Sequence, residues 1–314
     1  MFCILCGSKD LREQYSVRES HHKREEFALV KCQRCDMIQT SPRLGSSEIA
    51  VYYEEPYCNK GDDKFKSVFE AVEIFFRVRR ARFINSLTPA PGRILDIGCG
   101  RGKMLSVLSE RGWEAHGCEL NDRRAIQARK NKNLAIYTGE FEKINFPEAY
   151  FDVITLWHVL EHLPDPKTAL RKIGRILKGK GLLVIEVPNI ASWQSGLFKK
   201  HWFHIDAPRH YAHFSPDTLS VMLDECGFSV RNSRVASLEY GAFSFLQSLL
   251  NSLGFENNLL YYMTMKCPDT SSFFVRKLLM CIALPFLAVI SVFGAAVEAL
   301  IRKGDVVRVI AVKR

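Results

Sequence analysis

One stretch, Arg93-Ile-Leu-Asp-Ile-Gly-Cys-Gly-Arg-Gly-Lys103, limits what this chain can fold into more than any other. Arg93 to Ile97 is a short, largely apolar run, opened by Pro91-Gly92 and closed by glycines at 98, 100 and 102. It reads as a buried strand breaking into a tight turn, after which residues 103–111 continue as a helix. Alternate glycines allow positive φ and let a backbone approach a bound molecule where a side chain would intervene. Strand, glycine turn and helix N-terminus together form the nucleotide-binding corner of a doubly wound sheet. Ala115-His-Gly-Cys-Glu119 adds a strand ending in an acid, 23 residues after Asp96, placed to accept from ribose hydroxyls.

From Arg93 onward the pattern alternates. Strands are expected at 93–97, 115–119, 135–138, 151–156, 182–187 and 228–235, with helices near 103–111, 122–132, 166–177 and 216–226. Such alternation implies an α/β fold with a parallel sheet and helices on both faces. Residues 305–312 alternate apolar side chains and supply a last strand.

The glycine order separates two kinds of corner. The dinucleotide fingerprint is G-x-G-x-x-G, whereas here Asp96-x-Gly98-x-Gly100-x-Gly102 is found. That order resembles motif I of class I S-adenosylmethionine-dependent methyltransferases. Further matches follow in sequence: Glu119, then Phe151-Asp-Val-Ile-Thr-Leu-Trp-His-Val-Leu-Glu-His162, then Leu177-Lys-Gly-Lys-Gly-Leu-Leu-Val-Ile-Glu-Val-Pro-Asn189. The resemblance spans roughly residues 90–240 and is nearest to the ubiquinone and menaquinone methyltransferase-like group. It implies a Rossmann-like sheet of seven strands with the last antiparallel. It also implies S-adenosyl-L-methionine as cofactor: Asp96 accepting from the methionine amino group or supporting the turn, Glu119 on the ribose, Glu140 near the adenine amine. The segment opened by Trp157 would line the donor pocket. A sulfonium methyl is already electrophilic, so the protein's task is to align the nucleophile and take its proton.

At the N-terminus, Cys3-x-x-Cys6 and Cys32-x-x-Cys35 are separated by 25 residues, each pair followed by Gly7 or Asp36. Four thiolates at this spacing suit a closed, structural, tetrahedral zinc, which supplies folding energy that so short a segment lacks in apolar core, with a redox pair or an iron–sulfur site the other readings. His21 and His22 compete as ligands but read more simply as a solvated ribbon tip. With no basic region leading into an apolar core, no signal peptide is read, so the ten cysteines point to reduced thiols in a cytoplasmic setting. The divisions expected are a ribbon at 1–45, a linker and packing helix at 46–90, the core at 91–237, an apolar insertion at 238–304 and the last strand at 305–314.

Two histidine-bearing segments carry the candidate chemistry. His158 and His162 follow the fourth strand; either could be the base, or could fix the loop by bonding to backbone carbonyls. His201-Trp-Phe-His-Ile-Asp-Ala-Pro-Arg-His-Tyr-Ala-His-Phe214 follows the fifth strand and places four histidines, Asp206 and Arg209 within fourteen residues. His204 or His210 paired with Asp206 could take a hydroxyl proton, while Arg209 and His213 could hold the acceptor. A metal on His204, Asp206, His210 and His213, or a plain hydrogen-bonded lid, are the other readings.

The net charge of +10 is spread as +2, +4 and +4 over residues 1–90, 91–240 and 241–314. That spread favours an anionic membrane or a phosphorylated substrate over a nucleic-acid groove. Residues 278–297 form twenty positions without a charge, flanked by Arg276-Lys277 and Arg302-Lys303. The run is long enough to cross a bilayer core of roughly 30 Å. Both its ends must return to strands of one sheet, so a single crossing is excluded, and Pro285 and Gly294 suggest a bend into a re-entrant or interfacial hairpin. The expected protein is a peripheral or monotopic enzyme acting on a small-molecule, glycan or lipid-linked acceptor, with a buried helix or an oligomer interface the other use of the run. Ribbon-assisted RNA methylation and a non-catalytic tethered module are the rival readings; pairing of a ribbon with this core also resembles sugar C-methyltransferases, which carry a further domain.

Overall fold

The computed structural model describes residues 1–19, 25–54, 66–235, 240–255, 257–264 and 274–314. His21, His22, Pro56 and Tyr57 lie outside them. The chain opens with three strands, β1 (Leu11–Arg18), β2 (Glu26–Cys32) and β3 (Ile38–Ser41), paired antiparallel in order. Two helices follow, α1 (Ser46–Glu54) and α2 (Lys66–Asn85). α1 is a correction, because the segment reads as linker. Its helix forms because Tyr52 is buried against Phe27 and the core around Trp202.

The core then runs β4 (Arg93–Ile97), α3 (Lys103–Ser109), β5 (Glu114–Glu119), α4 (Asp122–Ala128), β6 (Leu134–Thr138), β7 (Phe151–Trp157), α5 (Pro166–Ile176) and β8 (Leu177–Pro188). α5 shows why such elements fall where they do. Asp165 caps it by accepting from Thr168 N at 3.0 Å, proline occupies the first turn, and Ala169, Leu170, Ile173 and Ile176 line one buried stripe. Next come α6 (Trp193–Phe198), β9 (Ala212–His213), α7 (Pro216–Glu225), β10 (Phe228–Val235), the helices α8 (Gly241–Ser252), α9 (Leu259–Thr264) and α10 (Phe274–Leu300), and finally β11 (Val306–Lys313).

Seven strands form one sheet in the order β10-β11-β8-β7-β4-β5-β6. The β8-β7-β4-β5-β6 pairs are parallel, as the alternation predicts, and β11 is antiparallel to both neighbours, as the family resemblance implies. The strand order reverses between β4 and β7, the position at which open α/β sheets bind ligands beyond their carboxyl ends.

The ribbon is not a separate bead. β9, inside the histidine-rich stretch, pairs antiparallel with β3 and becomes the fourth strand of the ribbon sheet. Cys3, Leu5, Cys32 and Met37 share one apolar cluster with Leu160, Phe214 and Ile97 of the core.

The insertion differs from expectation. α10 is one helix running through Pro285, with no hairpin inside it. Gly294 serves packing instead: a Cβ there would lie 2.4 Å from the Phe245 ring of α8. α8 and α10 are antiparallel, Gly241 beside Ala295 and Leu250 beside Met280. Leu279–Leu300 is long and apolar enough to cross a membrane, and only 17% of its most apolar window is buried.

Candidate active site

The glycine corner sits at the β4/β7 switch. Gly98 takes φ 75° and its N–H donates to Cys118 O at 2.8 Å. A Cβ on Gly98 would meet Val159 Cγ2 at 2.5 Å, so only glycine fits beneath the loop that follows β7. Gly100 takes φ 57° and faces open space, with no atom within 4 Å of where its Cβ would be. Gly102 caps α3 in the left-handed conformation. α2 closes over this turn, because Lys103 Nζ meets Glu73 at 2.7 Å.

Both acids of the corner are buried. Thr155 donates to Asp96 Oδ1 at 2.6 Å, and burial raises the Asp96 carboxyl to about 6. Glu119 accepts from Gly100 N at 2.8 Å and from Asn121 N at 2.9 Å, tying the end of β5 to the turn. Two such bonds leave a carboxylate lone pairs for a ligand's hydroxyls. Glu140 stands at the rim, half-exposed and paired with Lys143 at 2.8 Å. The open space at Gly100, with the buried Asp96 and Glu119 beside the turn, fits a nucleoside-bearing cofactor.

Trp157 ends β7 with its ring between the guanidiniums of Arg80 and Arg308, at 4.5 and 5.0 Å. Its buried indole N–H has no partner. Beside it lies an acid the sequence reading overlooked. Glu186 of β8 accepts from Arg80 at 3.1 Å and from Arg308 Nε at 2.7 Å, and lies 3.5 Å from His158 Nε2. Although burial opposes it, contact with His158, Arg80 and Arg308 holds this carboxyl well below the usual range. The signal available was an acid inside an otherwise apolar strand, which requires buried cations to accompany it.

His158 takes φ 55°, unusual for a non-glycine residue, and sits between Glu161 (3.4 Å) and Glu186. Burial disfavours its cation, yet Tyr240, Glu161 and Glu186 outweigh that and raise it well above an ordinary histidine. The Tyr240 ring, 4.6 Å away, joins this group to the start of α8.

His162 and His210 are fixed by carbonyl groups. Their Nδ1–H groups donate to Arg209 O at 3.1 Å and to His204 O at 2.9 Å, leaving Nε2 as the nitrogen with a lone pair in each neutral ring. Tyr53 of α1 also meets His162 Nδ1 at 3.1 Å. Glu161, His162 and His210 bring ligand atoms within 4.8 Å of one another, and both Glu161 oxygens lack a hydrogen-bond partner. Among the described residues this group and the four cysteines are those that could hold a metal.

The other histidine-stretch expectations need correction. Asp206 pairs with Arg209 at 2.5 Å and with neither His204 nor His210, and both line a small cavity against Arg18 and Glu19 of the ribbon. His204 faces Asp305 at 3.3 Å. His213 is buried and bonded to Thr40 of β3 at 3.0 Å. The Thr40 hydroxyl spends its one proton on His210 O at 2.6 Å, so His213 Nε2–H donates to it. Burial lowers His213 to about 4, and burial with cationic neighbours takes His210 well down too. His204, Asp206, His210 and His213 therefore do not converge on one point; the pleat and the ribbon contact separate them.

The four cysteines do converge. Cys3 and Cys35 Sγ lie 3.5 Å apart, as do Cys6 and Cys32, and all four lie within 4.8 Å of one another. Two knuckles mirror each other: Gly7 N donates to Cys3 O and Asp36 N to Cys32 O, each at 3.0 Å with φ positive. Burial raises Cys3 and Cys35, whereas at Cys32 amides of Arg34 and Cys35 overcome burial and bring the thiol to about 7. The donor set fits a tetrahedral thiophilic ion.

Comparison with known proteins agrees with this geometry. The family model described as methyltransferase domain matches residues 73–233, just over half of the chain. Among curated proteins, the chain is 28% identical over 144 residues to the ubiquinone biosynthesis O-methyltransferase of Idiomarina loihiensis, covering 42% of this chain and 59% of that protein. The protein of the same name from Thiobacillus denitrificans is 26% identical over 150 residues, covering 46% and 60%. The matching stretch thus spans under two thirds of those relatives. A solved structure from Galdieria sulphuraria, described as a candidate sarcosine dimethylglycine methyltransferase, shares the fold at TM-score 0.50 and 14% identity, over 85% of this chain and 97% of that one. The chain belongs to the methyltransferase domain family, with the sheet order and glycine corner of its class I, S-adenosylmethionine-dependent members.

Proposed function

We propose that the protein transfers a methyl group from S-adenosylmethionine to a hydroxyl of a glycan or lipid-linked small molecule presented at the cytoplasmic face of a membrane. The observation that carries it is the junction at Tyr240. This residue rings against His158 and also opens α8, the helix that packs on the apolar α10. An acceptor lying along that apolar surface would reach the histidine and carboxylate group without leaving it. The two curated relatives named above are O-methyltransferases by name, which supports oxygen as the atom methylated.

The bound cofactor would supply an electrophilic methyl. Gly98 and Gly100 would let it approach backbone, Glu119 would accept from its ribose, and Asp96 would support the turn or accept from its amino group. His158, held between Glu161 and Glu186, would orient the acceptor hydroxyl as a hydrogen-bond donor. His162 Nε2, with Nδ1–H fixed on a carbonyl, would take the proton. Cys3, Cys6, Cys32 and Cys35 would hold one structural zinc, which fastens the ribbon.

Transfer of labelled methyl to a whole-cell extract, fractionated into lipid, glycan, RNA and protein, tests the acceptor. Label is expected in lipid or glycan; label in RNA overturns the reading. Membrane attachment is tested separately: replacing residues 240–302 with a short turn should leave a domain that binds S-adenosylmethionine but stays in the supernatant. A full-length protein that is itself soluble at low salt without detergent would overturn it.

A further inference from the structure

A second cavity lies beside α2, and none of Asp96, Gly98, Gly100 or Glu119 lines it. It holds about 470 Å³ and is walled by Arg79 and Arg80 of α2, Arg234 of β10 and Arg308 of β11, over the rings of Phe76 and Phe83. No acid lines it. Arg80 and Arg308 share one carboxylate, Glu186. Arg79 and Arg234 pair with no carboxylate among the described residues.

The register sharpens this. Arg234 and Arg308 are directly opposed across the β10–β11 ladder, so their side chains leave the same face. Like charges placed opposite each other weaken a strand pair, and here a third and a fourth guanidinium approach from α2. Two guanidiniums without a carboxylate among the described residues, Arg79 and Arg234, beside the paired Arg80 and Arg308 are costly for the folded protein alone, and an anion in the cavity relieves that cost. Guanidinium forks match phosphoryl oxygens in a way a point charge does not. The volume lies within the roughly 300–1,000 Å³ usual for small-molecule sites, and the aromatic floor suits an apolar moiety.

We infer that this cavity is a binding site for an organic phosphate or diphosphate whose remaining part is apolar. Phosphoryl oxygens bridge Arg79 and Arg234 across the mouth, and the apolar part lies on Phe76 and Phe83. The site is distinct from the cofactor corner, and the inference does not rest on methyl transfer.

Calorimetry of the full-length protein at fixed ionic strength, with farnesyl diphosphate, inorganic pyrophosphate and sulfate as probes, tests it. Farnesyl diphosphate should bind at least about tenfold more tightly than pyrophosphate, and sulfate weakest. Arg79→Ala with Arg234→Ala should weaken both phosphates at least about tenfold, and Phe76→Ala should narrow the gap between them. S-adenosylmethionine affinity, measured on the same samples, should be unchanged, which shows the variant fold intact. Equal affinity of wild type and the double variant for both phosphates overturns the inference. So does a protein for which pyrophosphate and sulfate bind alike and the hydrocarbon adds nothing.

Discussion

The glycine corner and the histidine seam are both rich in residues that do chemistry, yet the fold uses them in opposite ways. At the corner, backbone is displayed: Gly100 faces open space, and the acids brace the turn from behind. At the seam, side chains turn inward: His213 and Thr40 close the joint between β9 and β3, and Asp206 and Arg209 satisfy each other. Polar residue types alone do not mark an active site. What separates the regions is whether the polar groups still have capacity left after the protein has satisfied them.

The comparison can be broken from the ribbon side first. Replacing Cys32 and Cys35 together by serine should abolish the proposed stoichiometric zinc and cost more than about 5 kcal/mol of stability, since a zinc held there would be coupled to folding and the knuckles share an apolar cluster with Phe214 and Leu160. Metal analysis with thermal unfolding checks both. Zinc retained at full occupancy would move the metal to Glu161, His162 and His210.

Acid should open the seam next. His213 is buried neutral, with its folded value of about 4 below the unfolded value near 6.5. A base with a depressed folded value adds stability that is complete above the unfolded value. That stability is lost as pH falls from about 6.5 through 4, because the unfolded chain then binds the extra proton. The expected loss is up to about 3 kcal/mol, read from unfolding midpoints across that window, and His213→Gln should flatten the slope.

A smaller effect is expected at the corner, and of a different kind. Gly100→Val puts a branched side chain at positive φ where a ligand would approach. S-adenosylmethionine should bind at least about tenfold more weakly, roughly 1.4 kcal/mol; no protein atom stands in the way, but valine is strained at this positive φ, so thermal unfolding of the same sample checks that the fold is kept. Glu119→Ala should weaken binding similarly. Unchanged affinity in both would remove the cofactor from this corner. The least effect belongs to Thr40→Val, which should cost about 1 kcal/mol of stability and leave cofactor affinity alone. A fall in affinity there would mean that seam and corner are one site.

Much of the core was legible in the chain itself. Residues 93–119 needed only short-range rules: an apolar run makes a strand, alternate glycines make a turn with positive φ, and an acid after the next strand lands beside it. The convergence of the four cysteines was legible for the same reason, since each pair is set within four residues. α1 was not legible, because Tyr52 and Tyr53 become helical only when Phe27 and His162 are there to meet them. Glu186 looked like part of an ordinary strand until α2 and β11 brought Arg80 and Arg308 to it from 106 residues before and 122 after. The histidine stretch announced its chemistry and concealed its use. Which of its side chains face the cleft and which hold the ribbon depends on the pairing of β9 with β3, a contact 170 residues long in sequence. Local backbone preference determined the corner; only long-range burial, which sets which polar groups find partners, decided the seam.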